Sequence, residues 1–92
     1  MLFMIHCVDK DGAQDLRAAN REAHLTYLKG FADKIFAAGP LLREDGEGMA
    51  GSLLLMEFPD RAAVEAFARE DPYAKSGVFQ SVEIKAWKKV LP

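Results

Sequence analysis

Ninety-two residues, half of them apolar, are enough for one globular domain (1–92) with a single core and exclude a disordered tail. The formal charge of −2 argues against nucleic acid as a partner, because binding phosphates requires a basic footprint. A single cysteine, Cys7, excludes an internal disulfide and a cysteine-rich metal centre and points to a reducing cytoplasm.

Met1 to Ile5 is apolar but lacks a basic leader, and the run breaks at His6 and Asp9. It is too short for a membrane span and unlike a signal peptide, which makes it a first strand. Leu2 to Val8 is β-prone throughout: Leu2, Met4, His6 and Val8 face one way, and Phe3, Ile5 and Cys7 the other. Both faces are largely apolar, so neither is expected to meet much water. Asp9-Lys10-Asp11-Gly12 turns the chain, and Asp11 with Gln14 resembles a capping box that starts a helix near Gly12 or Ala13. The spacing predicts a helix to about Ala38, with an irregularity near Asn20 and a buried stripe of Leu25, Leu28, Phe31, Ala32, Ile35 and Phe36. Gly39-Pro40 is read as its stop. Leu41-Leu42-Arg43 is a short extended piece before the polar loop Glu44 to Gly48.

Ser52 to Phe58 is a second strand, again apolar on both faces. Pro59-Asp60 opens a second helix with Asp60 as N-cap and Val64, Phe67 and Ala68 facing the core. Asp71-Pro72 breaks it, since a residue before proline disfavours the helical region. Phe79 to Val90 reads as a long last strand, with Val82, Ile84 and Ala86 opposite Glu83, Lys85 and Trp87. This order predicts an α+β fold, a ferredoxin-like split βαβ with an antiparallel sheet and two helices on one face. One helix layer covers one sheet face. The second apolar face predicts a symmetric homodimer packed sheet on sheet.

Few side chains invite chemistry. His24 repeats at helical spacing with Arg17, Arg21, Leu28, Phe31 and Ile35, so it sits where a basic half-stripe meets an apolar one. It reads either as a packed helix-face histidine or as a proton-transfer group aimed at the sheet. Arg17 and Arg21 read as an anion clamp, or as exposed arginines matched to Asp15, Glu22 or Glu44. Asp71, before proline, is well suited to capping a short helical turn, and local sequence favours that role. Asp33 is the other acid in range of His24 but lies toward the polar side. Tyr27, Tyr73, Ser76 and Trp87 read as pocket lining or ordinary packing, and His6 as packed or pocket-lining. There is no Gly-rich phosphate loop, no nucleophile elbow around Ser52 or Ser76, and no metal-ligand spacing.

With these residues in place, the chain resembles the YciI-like (YCII-related) family from end to end. The resemblance rests on Val8-Asp9-Lys10, Arg21-x-x-His24-Leu25, Ala38-Gly39-Pro40, Asp71-Pro72-Tyr73, Gly77-Val78-Phe79 and the stretch from Val82 to Val90. It implies a ferredoxin-like dimeric α/β barrel and a site centred on a His and an Asp, at His24 and Asp71. It also implies an activity known in the family, cofactor-free removal of chloride from a chlorinated hydroxyquinol, with Arg17 and Ser76 at positions that serve such a site.

The expectation is a small cytoplasmic enzyme without metal or organic cofactor. His24 acts as general base or acid and Asp71 orients it, while Arg17 and Arg21 hold a small, cyclic or aromatic anion beside Tyr73, Ser76 and His6. Its partners would be a small-molecule ligand and a second copy of itself, with no nucleic acid and no membrane. The alternatives are a non-catalytic ligand-binding or accessory dimer, a structural module in which His24 merely packs, and a cofactor-free monooxygenase or haem-degrading protein of the same barrel architecture.

Overall fold

The computed structural model describes residues 1–92. Strand β1 (Leu2–Asp9) leads into helix α1 (Gln14–Lys29), a 3₁₀ turn (Ala32–Lys34) and strand β2 (Ile35–Leu42). Strand β3 (Met49–Glu57), helices α2 (Arg61–Glu70) and α3 (Pro72–Lys75) and strand β4 (Phe79–Trp87) follow. The sheet runs in the order β2-β3-β1-β4 with every neighbouring pair antiparallel. That is the ferredoxin-like α+β arrangement the sequence predicts, with β1 and β3 at its centre.

Alternation along the central strands decides which face is covered. Phe3, Ile5 and Cys7 of β1, with Leu54 and Met56 of β3, are buried with Leu28 of α1, Phe58, and Val64 and Phe67 of α2. Both long helices therefore sit on one face. The opposite face carries Leu2, Met4 and His6, paired in register with Glu57, Leu55 and Leu53 on one side and Trp87, Lys85 and Glu83 on the other. No helix covers that face. Gly51 marks where β1 and β3 approach most closely: a Cβ there would stand 2.1 Å from the Cys7 carbonyl oxygen. Only glycine fits.

The first helix is shorter than its periodicity suggests. It ends at Lys29 with Gly30 as its C-cap, and residues expected in its last turns form the 3₁₀ turn and β2. The spacing of Leu28, Phe31 and Ile35 is the source of the error. All three pack on the same core, but Phe31 reaches it from the turn and Ile35 from the strand. Ile35 and Phe36 favour a pleated surface. Gly39-Pro40 does not stop a helix; it lies inside β2, an edge strand, where a missing amide hydrogen is tolerated. Phe36, expected in the core, is half exposed.

The helix start also differs. Ala13 is the N-cap and no side chain caps it, so the Asp11–Gln14 capping box does not form. Ala13 is held instead by a backbone bond to the Lys10 carbonyl in the turn (3.2 Å). No break occurs near Asn20, whose amide donates to the Leu16 carbonyl (2.9 Å) within a continuous helix. The other expected signals hold in place: Asp60 accepts from the Ala63 amide (2.9 Å), and the chain breaks at Asp71-Pro72. The last strand stops at Trp87, three residues short of Val90.

Candidate active site

Helical spacing carries Arg17, Arg21, His24 and Leu28 along one side of α1, and the sheet and α3 close over all but Arg21. Arg17 and His24 are each 7% exposed, so two polar side chains are committed to the interior and must find partners there.

His24 finds Asp71. Its Nδ1 lies 2.8 Å from Asp71 Oδ1, with both side chains buried. The same oxygen accepts the Tyr73 amide at 2.9 Å and so caps α3, with Pro72 in the first helical turn. Capping and pairing are thus one arrangement: the break before Pro72 turns the Asp71 carboxylate inward, where it serves the helix and the imidazole at once. An ionised carboxylate only accepts, so Nδ1 carries the proton, and in the neutral imidazole Nε2 is left with its lone pair. Tyr73 lies flat on the imidazole, ring centroids 3.9 Å apart and planes within 9°, which fixes the ring's tilt.

Arg17 is anchored from three directions. Its Nε donates to Asp9 Oδ2 (2.9 Å), and its Nη2 to the Gly51 carbonyl (2.7 Å) and Ser52 Oγ (2.6 Å). Nη1 rests on the Met49 sulfur (3.3 Å), and the guanidinium carbon stands 4.7 Å from the centre of the Tyr73 ring. Its ion-pair partner is Asp9, and not Asp15, Glu22 or Glu44 as its exposed reading suggests. Arg21 is exposed and makes no ion pair or hydrogen bond within the chain, although it borders the same space.

That space is a cleft of about 200 Å³ between α1, β2 and β3. Arg17, Arg21, His24, Ser52 and Tyr73 supply its polar wall, and Leu25, Leu28, Pro40 and Leu54 much of its apolar one. Asp9 Oδ1 is the only fully buried side-chain nitrogen or oxygen without a partner. His24 Nε2 and the Tyr73 hydroxyl have no partner within the chain either, yet neither is fully buried, and both residues line the cleft.

Burial dominates the electrostatics around this cluster. It pushes the Cys7 thiol up to about 12, helped by the negative charges of Asp71 and Asp9, so Cys7 is a protonated packing residue. The Tyr73 phenol is also raised by burial, with Arg17 and Arg21 pulling against the shift. Tyr27 is raised by burial and then by Asp71 and Glu70; its hydroxyl donates to the Phe67 carbonyl (2.9 Å).

The structure therefore brings Arg17, Arg21, His24, Asp71 and Tyr73 into one cluster. Of the residues expected beside a substrate, Ser76 and His6 lie elsewhere, as do the pocket-lining candidates Tyr27 and Trp87. Ser76 donates to the Pro72 carbonyl (2.7 Å) at the end of α3 and does not line the cleft. His6 points to the uncovered face of the sheet, opposite the cleft. Asp9 and Ser52, which the sequence reading left in a turn and a strand, join the cluster as acceptors for Arg17. The signal for Asp9 is the alternation Phe3, Ile5, Cys7, Asp9, which puts it on the helix side of β1. No group of three or more His, Cys, Asp or Glu side chains comes together to hold a metal ion, and no helix is long and apolar enough to cross a membrane.

A model of the YCII-related domain matches residues 1–88. Protein YciI of Escherichia coli is 35% identical over 99% of this chain and all of its own. An uncharacterized protein of Haemophilus influenzae is 33% identical over the same shares. Among solved structures, 5-chloro-2-hydroxyhydroquinone dehydrochlorinase (TftG) of Burkholderia phenoliruptrix, in complex with 2,5-dihydroxybenzoquinone, superposes with a TM-score of 0.89 at 37% identity, covering 96% of this chain and 94% of that one.

Proposed function

Because the chain belongs to the YCII-related family, we propose that it is a cofactor-independent enzyme of the elimination or isomerisation type, acting on a small cyclic anion such as a hydroxylated, chlorinated ring. The observation that carries this reading is the His24–Asp71 pair, with one imidazole nitrogen tied to a buried carboxylate and the other open to an apolar cleft. Asp71 holds the proton on Nδ1 and stabilises the imidazolium that forms when Nε2 takes a proton from the substrate. The electron pair left behind moves into the ring, and the leaving group departs with its own bonding pair. On the keto tautomer of such a ring, in which the chlorine-bearing carbon is saturated, the products are an anion, a protonated imidazole and one further C=C or C=O double bond, with no net change in oxidation state. The likeness to TftG supports chloride as the leaving group.

The same reading places the protein in the cytoplasm as a homodimer joined through the uncovered sheet face. The experiment is chloride release from 5-chloro-2-hydroxyhydroquinone by the wild type and by His24→Gln. Release that His24→Gln abolishes while ring binding persists supports the enzyme. Binding without release by the wild type identifies a ligand-binding dimer instead.

A further inference from the structure

The reading above makes His24 the proton acceptor of the cleft, but a proton cannot leave the ring cheaply unless the charge left behind is stabilised. Arg17 is the obvious cation by sequence, yet its guanidinium is already bonded to Asp9, Gly51 and Ser52. A buried arginine with three of its N–H groups on oxygen acceptors and a fourth on the Met49 sulfur has only one left for an incoming anion.

The remaining polar groups are better placed. Tyr73 keeps only 1% of its surface accessible, and its hydroxyl, unbonded within the chain, is not sealed off. Arg21 stands one helical turn from both Arg17 and His24, with no partner. Two recesses, of about 200 and about 190 Å³, share Arg17, Arg21 and Tyr73 in their walls, and of the two arginines only Arg21 has no partner in the chain. A donor and a cation thus share one rim, beside the imidazole on which Tyr73 is stacked.

We propose that the Tyr73 hydroxyl and the Arg21 guanidinium form the oxyanion-binding edge of the cleft, holding the substrate oxygen on which charge accumulates while His24 Nε2 takes the proton. This rests on the elimination reading above. Tyr73 donates a hydrogen bond and keeps its proton; burial favours the protonated phenol, as a donor requires. Arg21 supplies the charge. Arg17 is a positioning residue that fixes the Tyr73 ring, and through it the imidazole. The ligand class follows: a planar ring carrying an ionisable oxygen a few ångströms from the position that loses its proton.

The probe is 2,5-dihydroxybenzoquinone, an acidic quinone, with affinity measured by calorimetry at low and high salt. Tyr73→Phe keeps the ring stack and removes only the donor; Arg21→Gln changes an exposed side chain that the fold does not use. Each is expected to weaken binding about tenfold or more, in line with the loss of a charge-assisted or buried hydrogen bond. Arg21→Gln should also flatten the salt dependence of the affinity, whereas Tyr73→Phe should preserve it. A merely structural role for either residue would not divide the two variants in this way. Unchanged affinity in either variant overturns the shared edge and leaves the elimination reading standing. A wild type that does not bind the quinone overturns both.

Discussion

Asp71 binds the His24 imidazole with the same carboxylate oxygen that caps the helix carrying Tyr73, at 2.8 Å and 2.9 Å respectively. The group that orients the imidazole is therefore also the group that positions the ring stacked on it. A change at Asp71 reaches both, and its chemical and structural parts separate only in variants that keep one of them.

Asparagine is such a variant. Asp71→Asn retains a good helix cap, but its amide cannot stabilise an imidazolium as a carboxylate does. Turnover should fall by roughly a hundredfold to ten-thousandfold, with the urea midpoint changed little. Asp71→Ala should lose about 1 kcal/mol more from the missing cap. Steady-state kinetics beside urea melts of both variants checks this; equal turnover in Asp71→Asn and wild type would remove Asp71 from the mechanism.

Arg17 and Asp9 form the second buried pair, and breaking it strands a charge. Arg17→Gln leaves the Asp9 carboxylate in a site where one oxygen already lacks a partner. The expected loss is about 3–5 kcal/mol, and adding Asp9→Asn should return part of it. A double-mutant cycle read by denaturant unfolding measures the coupling; strictly additive losses would show that the pair does not act as a unit.

Alkaline pH should unfold the protein through its buried thiol and phenols. Cys7 has its proton affinity raised in the fold, from 9.0 to about 12. The unfolded chain therefore sheds this proton first, and the stability present below pH 9 is lost as pH rises toward 12. Tyr27 and Tyr73, also raised, add to the fall above pH 10. Urea midpoints taken from pH 8 upward should decline, and less steeply in Cys7→Ala. In the native state at neutral pH, alkylation of Cys7 should be far slower than in urea.

The uncovered sheet face carries Leu53 and Trp87, each 37% exposed, among half-buried Leu2, Met4 and Leu55. A face of this kind is the signature of a partner. Sedimentation equilibrium at micromolar concentration should report a dimer, and Leu53→Asp should shift it toward monomer. A monomeric wild type would remove the sheet-on-sheet association.

Where one competing pattern governed a segment, sequence was a good guide to this fold. The central strands, the Asp60 cap and the break at Asp71-Pro72 follow from alternation and capping, and the structure has them. The stretch from Phe31 to Pro40 was not legible, because residues 28, 31 and 35 satisfy a helical period while two of them reach the core from a turn and a strand. In the site, helical spacing alone turned His24 inward. Its partner was not readable locally, since an Asp before Pro meets every requirement of a cap and, in the fold, is one. The fate of Arg17 was hidden for another reason: its acceptors come from β1 and β3, and only strand register brings them together.

Pro40 has a consequence for the edge of the sheet. It stands in β2, at the outer edge of the sheet, and within a strand proline is accommodated only where its nitrogen faces away from the ladder. The exposed rim of β2 therefore lacks one of the donors that a foreign strand would need to zip onto it. Templated growth into fibrils, which begins at such rims, is blunted at its first rung, so the apolar face of the sheet is not matched by an equally inviting edge.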